Sequence, residues 1–519
     1  MNARRRWPRA LLALGFYVVV VVWLTWPLAE HLATRLPATH AACRFDALHL
    51  VWALSHESHA LTTQPSRFAE GNIFYPTPHA LYYGQAAYGA LPYFMPTYLL
   101  SGNPTLAMNI VFLFSIAATA WTLHLVAARW SGSELGGFVA AWTFLTTRWV
   151  LWEFIPSAPT FAVLLYFPLL ISVAALGSST FRQALRLLPL VVLQCLTDVA
   201  YFAAAVFAPL GFLAVLRLLL SRTRKAGLHL LGVLALAGVV LFPAYLGYIV
   251  VGRENPLLSE QTVWRGLAEV PTVIPWGLLG YLAPTSVQPV VLLVILLGAV
   301  AFLATPTRRH DAVTRRAWTH ALLWASFGTF ISLTPIVRVL GFDVSLPQHL
   351  LAEWLPLYQR LRVPARLGVA GLMGLALLAG LAFAECMRWL GDRIGRRAIA
   401  GPASVLLALL LAVVVYAQYA SDVGVSPSIR RRSLPSRYPL QEAINGDSPL
   451  VGLLRAPGGP LLELPSGSPE QFFAADARAM YRSIFHWRPL VNGYSGYWPA
   501  DFPDRMWAAS DNTARCFPK

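Results

Sequence analysis

The chain has 519 residues, of which 57% are hydrophobic and only 12% are charged. A soluble domain carries roughly twice that share of charge, so the composition excludes a soluble globular fold and predicts an all-α polytopic membrane protein. Its 40 Lys and Arg exceed its 24 Asp and Glu, giving a formal charge of +16. Nucleic-acid binding is not indicated, because no basic stripe interleaved with aromatic residues is present.

The first apolar segment, at about 10–28, follows a basic start that includes Arg4 and Arg9. Basic residues stay on the cytoplasmic side of a membrane, so the N-terminus is predicted to be cytoplasmic. The bulky run from Tyr17 to Pro27 lacks a small-residue cleavage site, which indicates an uncleaved helix rather than a signal peptide. Residues 29–85, rich in Pro, His and Tyr, are then predicted to form a long external loop.

Charge decides how the next stretch, 86–101, is interpreted. It is short and contains Pro92 and Pro96, and if it crossed the membrane Arg129 and Arg186 would lie outside. We therefore predict that it lies in the outer leaflet and that the C-terminus is external. With this interpretation, eleven helices are predicted to cross the membrane. They lie at about 10–28, 105–128, 134–150, 157–177, 184–198, 200–220, 227–250, 287–305, 317–336, 364–387 and 400–420.

Residues 421–519 differ in composition from the membrane domain predicted for 1–420. They contain a strand-like run at Pro460–Pro465 and turn residues at Asn492–Gly496. We predict a small external α/β or α+β element, abbreviated or truncated because no finished domain pattern precedes the end. The basic cluster Arg430–Arg432 falls on the external side, either as an exception to the charge rule or as a contact with phosphate headgroups.

Asp46 is the acid that most suggests chemistry. It lies just past the first apolar segment, isolated from other acids and near Trp52. The alternative is that it caps a helix beginning near Ala47, a position that suits Asp. Asp198 is costly if buried in its apolar setting, so it is either functional or placed at the outer boundary.

Several other groups have two interpretations. Arg148 either binds substrate or pairs with Glu153. Arg360, Arg362 and Arg366 either hold the phosphate of a substrate or only anchor the chain to lipid headgroups. His49, His56 and His59 recur at helical spacing beside Glu57. One interpretation is that this group binds a metal, but histidines at the membrane interface on an amphipathic helix are commoner. No metal motif is present, and a lone acid argues against a tightly held metal, so no cofactor is assigned and a divalent cation stays an option.

Carboxylates and guanidinium groups at one membrane face suit a lipid-linked substrate. A carboxylate can accept the proton of an acceptor hydroxyl, and arginines can neutralise a departing phosphate, while aromatic rings stack on sugars. Asp46 is the candidate catalytic residue. The candidate substrate-binding residues are Arg44, His49, Trp52, His79, Tyr82, Arg148, Asp198, Tyr201, Arg360, Arg362 and Arg366.

Segments at Thr25–His31, Asn72–Pro76, Gly102–Asn109, Leu361–Arg366 and His486–Gly496 together resemble a group of bacterial membrane proteins with GT-C-type glycosyltransferase architecture. The similarity covers nearly the whole chain. It implies a multi-helix fold, a catalytic acid in the first external loop, which Asp46 matches, and a polyprenyl-phosphate-linked sugar donor. Many such enzymes carry two acids in that loop, and here Asp46 has no acidic neighbour.

The leading hypothesis is therefore an inverting glycosyltransferase of the bacterial inner membrane, acting at the external face. Its expected partners are a polyprenyl-phosphate-linked sugar, membrane lipid, and a glycan, lipid or protein acceptor. One alternative is a transporter or flippase for a lipid-linked saccharide, although acids and arginines gather at one face rather than at mid-membrane, where a coupling site is expected. Another is a non-catalytic assembly protein of the cell envelope.

Overall fold

Helices dominate the structure, because apolar runs of this length can satisfy their backbone groups only internally when they lie in lipid. The computed structural model describes residues 6–38, 45–255, 272–273, 287–305, 308, 311–333, 336–339, 342–350, 361, 363–394, 397–421, 434–443, 446, 448–456, 458–465 and 469–508. Arg44, Arg360, Arg362 and Arg430–Arg432 lie outside the described residues.

Sixteen helices are named here within the described part of the chain. They are α1 Arg6–Leu24, α2 Asp46–Thr63, α3 Leu91–Ser101, α4 Pro104–Ser131, α5 Glu134–Leu145, α6 Tyr166–Leu176, α7 Phe181–Ala184, α8 Leu188–Thr197, α9 Tyr201–Leu219, α10 Arg224–Glu254, α11 Pro289–Ala304, α12 Ala312–Ile331, α13 Val369–Ile394, α14 Arg397–Ser421, α15 Pro449–Leu454 and α16 Pro469–Ser483.

Each of the eleven segments predicted to cross the membrane overlaps at least one of these helices. By length and apolar composition, five helical stretches of the described residues can cross a membrane. They are Pro104–Ser131, Tyr201–Leu219, Ser221–Glu254, Pro364–Arg393 and Gly401–Ser421. The remaining predicted spans contain shorter helices, such as α6 and α11, or the less apolar α12. A total of eleven spans therefore stays a prediction.

Helix α13 forms the centre of the bundle and packs against α4, α5, α11 and α12. Glycines permit its close approach to α12. A Cβ added at Gly374 would lie 2.1 Å from the backbone nitrogen of Ala325, and one added at Gly328 would lie 2.2 Å from that of Gly371. Small residues let membrane helices pack backbone to backbone in this way.

The stretch 86–101 contains α3, which packs on α2 and α4. Its 11 residues span about 16 Å, roughly half of a bilayer core. The length is that of a helix that does not cross the membrane by itself. Its placement in the outer leaflet stays a prediction.

Strands are short in the described residues. β1 Arg35–Pro37 pairs antiparallel with β5 Leu440–Glu442, so that the start of the chain meets the segment after α14. β2 Thr272–Val273 pairs parallel with β3 Ile336–Val339, which pairs antiparallel with β4 Phe342–Ser345.

The C-terminal region packs into the same hydrophobic core as α2 and α4, through residues such as Tyr481 and Leu490. The run predicted as a strand at 460–465 contributes one parallel bridge, Leu461 to Leu490. Helices α15 and α16 and a turn of helix at 502–508 make up most of the region's regular structure. It therefore covers α2 directly.

Candidate functional site

Helix α2 carries imidazole and indole rings along one face. Residues 49, 52, 56 and 59 recur at near-helical spacing and so share a side of the helix. The rings of Trp52 and His56 stack with centroids 5.6 Å apart, and His59 stacks on Trp487 of the C-terminal region at 4.1 Å. The histidines thus pack against tryptophans, and the described residues include no group of three that could hold a metal ion.

Trp52 is fully buried, and its indole nitrogen donates to Oδ1 of Asn72 at 2.9 Å. The sequence predicts Trp52 as a substrate-binding residue, but its buried ring has no face exposed to a sugar. The contact instead fixes the Asn72–Pro76 segment against α2. A buried Trp needs such a partner for its N–H.

Asp46 begins α2 and contacts the C-terminal region. Phe45 occupies the capping position before it, so the carboxylate lies in the first turn rather than at the cap. The hydroxyl of Tyr494 donates to Oδ1 of Asp46 at 2.5 Å, and Nδ1 of His49 donates to the carbonyl of Tyr494 at 2.9 Å. Asp46 is half-buried, so part of its carboxylate faces solvent.

His49 is held neutral in one tautomer. Burial lowers the pKa of His49 to about 4, although the bond to the Tyr494 carbonyl opposes the shift. Because Nδ1 carries the proton, Nε2 carries the lone pair. Nε2 is buried and has no hydrogen-bond partner among the described residues. It faces Gly84, where an added Cβ would lie 2.2 Å from it.

Residues 84–87, here called the 84–87 segment, join α2 to α8 and α10. The hydroxyl of Tyr248 donates to the carbonyl of Gly84 at 3.1 Å and accepts the N–H of Ala86 at 2.8 Å. Gln85 donates to the carbonyl of Thr197 at 3.4 Å. The segment therefore connects the surroundings of Asp46 with those of Asp198.

Glu57 is a buried acid of α2 that is not among the candidate site residues predicted from the sequence. Its Oε1 accepts the backbone N–H of Ala87 at 3.1 Å, and its Oε2 has no partner among the described residues. Burial raises the pKa of Glu57 to about 8, so the carboxyl is mostly protonated at neutral pH. Its burial results from tertiary packing and cannot be predicted from the local sequence.

Asp198, Tyr201 and Arg366 form a second cluster. Asp198 accepts the backbone N–H groups of Ala200 at 3.0 Å and of Tyr201, and so stabilises the start of α9. The guanidinium carbon of Arg366 lies 4.3 Å from the ring centroid of Phe154 and 4.9 Å from that of Tyr201.

Arg366 is unusual for a half-buried arginine. Its Nε is buried without a hydrogen-bond partner, and no acceptor within the described ranges bonds its guanidinium. A guanidinium has five N–H donors in a planar fork that matches phosphate. The cluster therefore presents an aromatic-lined cation with its donors available.

The remaining predicted residues lie at other contacts. Arg148 is buried and donates through Nε and Nη2 to the carbonyl of Tyr419 at the end of α14, at 3.1 and 3.0 Å. Nδ1 of His79 lies 3.7 Å from Oε1 of Glu70 at the surface. Tyr82 packs edge to face on Tyr248 at 5.1 Å, next to the 84–87 segment.

Two residues of the C-terminal region that reach the start of α2 are not among the predicted site residues. Tyr494, which bonds Asp46, belongs to the Asn492–Gly496 turn predicted from its sequence motif. Arg478 of α16 is exposed, and its guanidinium carbon lies 5.8 Å from the ring centroid of Phe45. Neither contact can be predicted from local sequence, because more than 430 residues separate the partners.

No family model and no curated protein matches the chain. Among solved structures, it is similar to the archaeal oligosaccharyltransferase AglB from Archaeoglobus fulgidus in complex with an inhibitory peptide and a dolichol-phosphate. The identity is 12% and the TM-score is 0.44, over 94% of this chain and 65% of that one. It is also similar to the Archaeoglobus fulgidus oligosaccharyltransferase in the apo form, with 11% identity and a TM-score of 0.45, over 93% of this chain and 64% of that one. The chain thus spans slightly less than two thirds of the length of these proteins, and a likeness this low says nothing about its reaction.

Proposed function

We propose that this chain is a membrane glycosyltransferase that moves a sugar from a polyprenyl phosphate to an acceptor hydroxyl, with Asp46 as the catalytic residue. The observation that supports this best is the placement of Asp46. It is a half-buried carboxylate at the start of α2, fixed by the hydroxyl of Tyr494. A helix N-terminus favours the ionised form that a general base needs.

The proposed step is a single displacement. Asp46 accepts the proton of the acceptor hydroxyl, whose oxygen forms a bond to the anomeric carbon of the sugar. The bond from that carbon to the phosphate oxygen breaks, and its electron pair leaves with the polyprenyl phosphate. One displacement inverts the anomeric configuration.

Arg366 is the described residue best suited to receive the phosphate. Its donors have no acceptor in the described part of the chain, and the aromatic rings of Phe154 and Tyr201 hold its plane. The Tyr201 ring positions it, and Asp198 fixes the backbone of Tyr201. Arg44, Arg360 and Arg362 remain proposed helpers outside the described residues, and His79, Tyr82 and Arg148 remain proposed substrate contacts without a supporting contact to Asp46.

The proposed setting is the bacterial inner membrane, with Asp46 and the C-terminal region on the external face. The five helices able to cross a membrane support the membrane placement. The charge distribution of the loops supports the orientation. Glycan, lipid and protein acceptors are all compatible with this placement.

The test uses membranes containing the full chain and radiolabelled polyprenyl-phosphate hexoses and pentoses as donors. Transfer of label to lipid, glycan or protein is measured for the wild type, Asp46→Asn and Glu442→Gln. Glu442 is the matched control, because it is an acid whose side chain is 85% exposed and whose only described ion pair is with Arg35. We expect a loss of at least about a hundredfold for Asp46→Asn and none for the control.

Undiminished transfer by Asp46→Asn would overturn the proposal. If no donor is transferred by the wild type, the same preparation in sealed proteoliposomes tests movement of the lipid-linked sugars across the bilayer. Translocation independent of Asp46 would assign the chain to transport. Thermal unfolding of each variant in detergent establishes that the substituted proteins are folded.

A further inference from the structure

The segment around Tyr494 reaches α2 from the far end of the chain. Asp46 and His49 are three residues apart on one face of α2, and Tyr494 contacts both. Its hydroxyl donates to Oδ1 of Asp46, while its carbonyl accepts from Nδ1 of His49. Tyr494 thus contacts two residues that are neighbours on the proposed catalytic face of α2, Asp46 and His49.

The residues flanking Tyr494 are themselves anchored. Ser495 donates from its hydroxyl to the carbonyl of Tyr83 at 2.7 Å. On the other side, the side-chain nitrogen of Asn492 donates to Oδ1 of Asp476 at 2.8 Å, and its carbonyl accepts the N–H of Phe74 at 3.2 Å. Tyr494 is therefore presented to Asp46 from a segment fixed at both ends.

Gly493 contributes to the same geometry. A Cβ at this position would lie 2.4 Å from Cδ1 of Phe74, so a side chain there would push the segment away from Phe74. The absence of a side chain brings Tyr494 within hydrogen-bond distance of Asp46.

From these contacts we infer that Tyr494 is a positioning residue for Asp46, so that the C-terminal segment Trp487–Tyr497 completes the reaction site. This inference rests on the proposed function. An ionised carboxylate has two oxygens with about four lone-pair sites. The Tyr494 hydroxyl occupies one of these sites on Oδ1 and restricts rotation of the carboxylate, so that the carboxylate meets the acceptor hydroxyl in fewer orientations.

Loss of that orientation lowers the rate of the chemical step more than substrate binding. Tyr494→Phe removes the hydroxyl and keeps the ring and the carbonyl that binds His49. We expect kcat to fall about tenfold to a hundredfold, with KM changed by less than about twofold. The matched control is Tyr75→Phe, because Tyr75 is 44% exposed and belongs to the surface.

A second measurement tests the contact without any assay of transfer. Thermal unfolding of the purified full chain is compared for Asp46→Ala, which removes the acceptor, Tyr494→Phe, which removes the donor, and the double variant. Residues that share a hydrogen bond give non-additive effects, so we expect the double variant's shift in Tm to be smaller than the sum of the single shifts. Additive shifts would overturn the contact and the inference with it.

The two measurements separate the possible failures. If the wild type transfers sugar and Tyr494→Phe keeps its kcat, the positioning role is overturned while the proposed function stands. If the wild type transfers none of the donors, the proposed function and the positioning role are both overturned, and non-additive unfolding then supports a purely structural bridge.

Discussion

Oε1 of Glu57 accepts the backbone N–H of Ala87 at 3.1 Å, in a contact where the Glu57 side chain is fully buried. Helix α2 thereby holds the 84–87 segment, which Tyr248 of α10 holds from the other side. An acid, rather than an amide, at this position makes the contact sensitive to pH.

We therefore expect the stability of the folded chain to decrease as the pH rises from about 4.5 to about 8. Burial raises the pKa of Glu57 from 4.5 to about 8, so the folded chain binds the proton more tightly than the unfolded chain. In that window the free energy of unfolding decreases by about 1.4 kcal/mol per pH unit. Glu57→Gln keeps an acceptor for Ala87 and removes the titration.

The measurement is thermal unfolding in detergent from pH 5 to 9, for the wild type, Glu57→Gln and the exposed control Glu442→Gln. We expect the stability of Glu57→Gln to decrease less steeply with rising pH than that of the wild type. At pH 8 the variant should be more stable than the wild type. The control should keep the wild-type profile. An unchanged profile in Glu57→Gln would show that Glu57 does not carry the proton.

Local patterns predicted the helical segments and selected Asp46 as a candidate, because hydropathy and charge are read within about 20 residues. They could not predict that Tyr494 contacts Asp46, since 448 residues separate the two. Nor could they predict that Trp52 is buried. An aromatic ring in a polar loop is compatible with sugar stacking, but here Trp52 belongs to the hydrophobic core that α2 shares with the C-terminal region.

Arg366→Lys should weaken donor binding more than it slows the chemical step. Lysine keeps the charge but lacks the planar fork and the stacking on Phe154 and Tyr201. We expect KM for the polyprenyl-phosphate sugar to rise about tenfold, with a smaller change in kcat. The control is Arg67→Gln, an exposed arginine of the loop after α2.

Steady-state transfer at varied donor concentration measures both constants. Competition by unlabelled polyprenyl phosphate provides a second reading, and its inhibition constant should rise in parallel with KM. An Arg366→Lys variant with the wild-type inhibition constant would contradict phosphate binding at this cluster.

Gly84→Ala tests how closely the 84–87 segment approaches α2. The added Cβ would lie 2.2 Å from Nε2 of His49 and 2.7 Å from Oγ of Ser495. The buried His49 ring and the half-buried Ser495 hydroxyl cannot move away without breaking their hydrogen bonds to Tyr494 and Tyr83. We expect a loss of about 1–3 kcal/mol of stability, typical of overpacking, measured as a fall in Tm.

Gly459→Ala is the matched control, because a Cβ there meets nothing within 4 Å among the described residues. The double variant Gly84→Ala with His49→Ala removes the ring that the new methyl group would meet. Its Tm should therefore be higher than the sum of the two single effects predicts. Additive losses would mean that the His49 ring does not lie against Gly84.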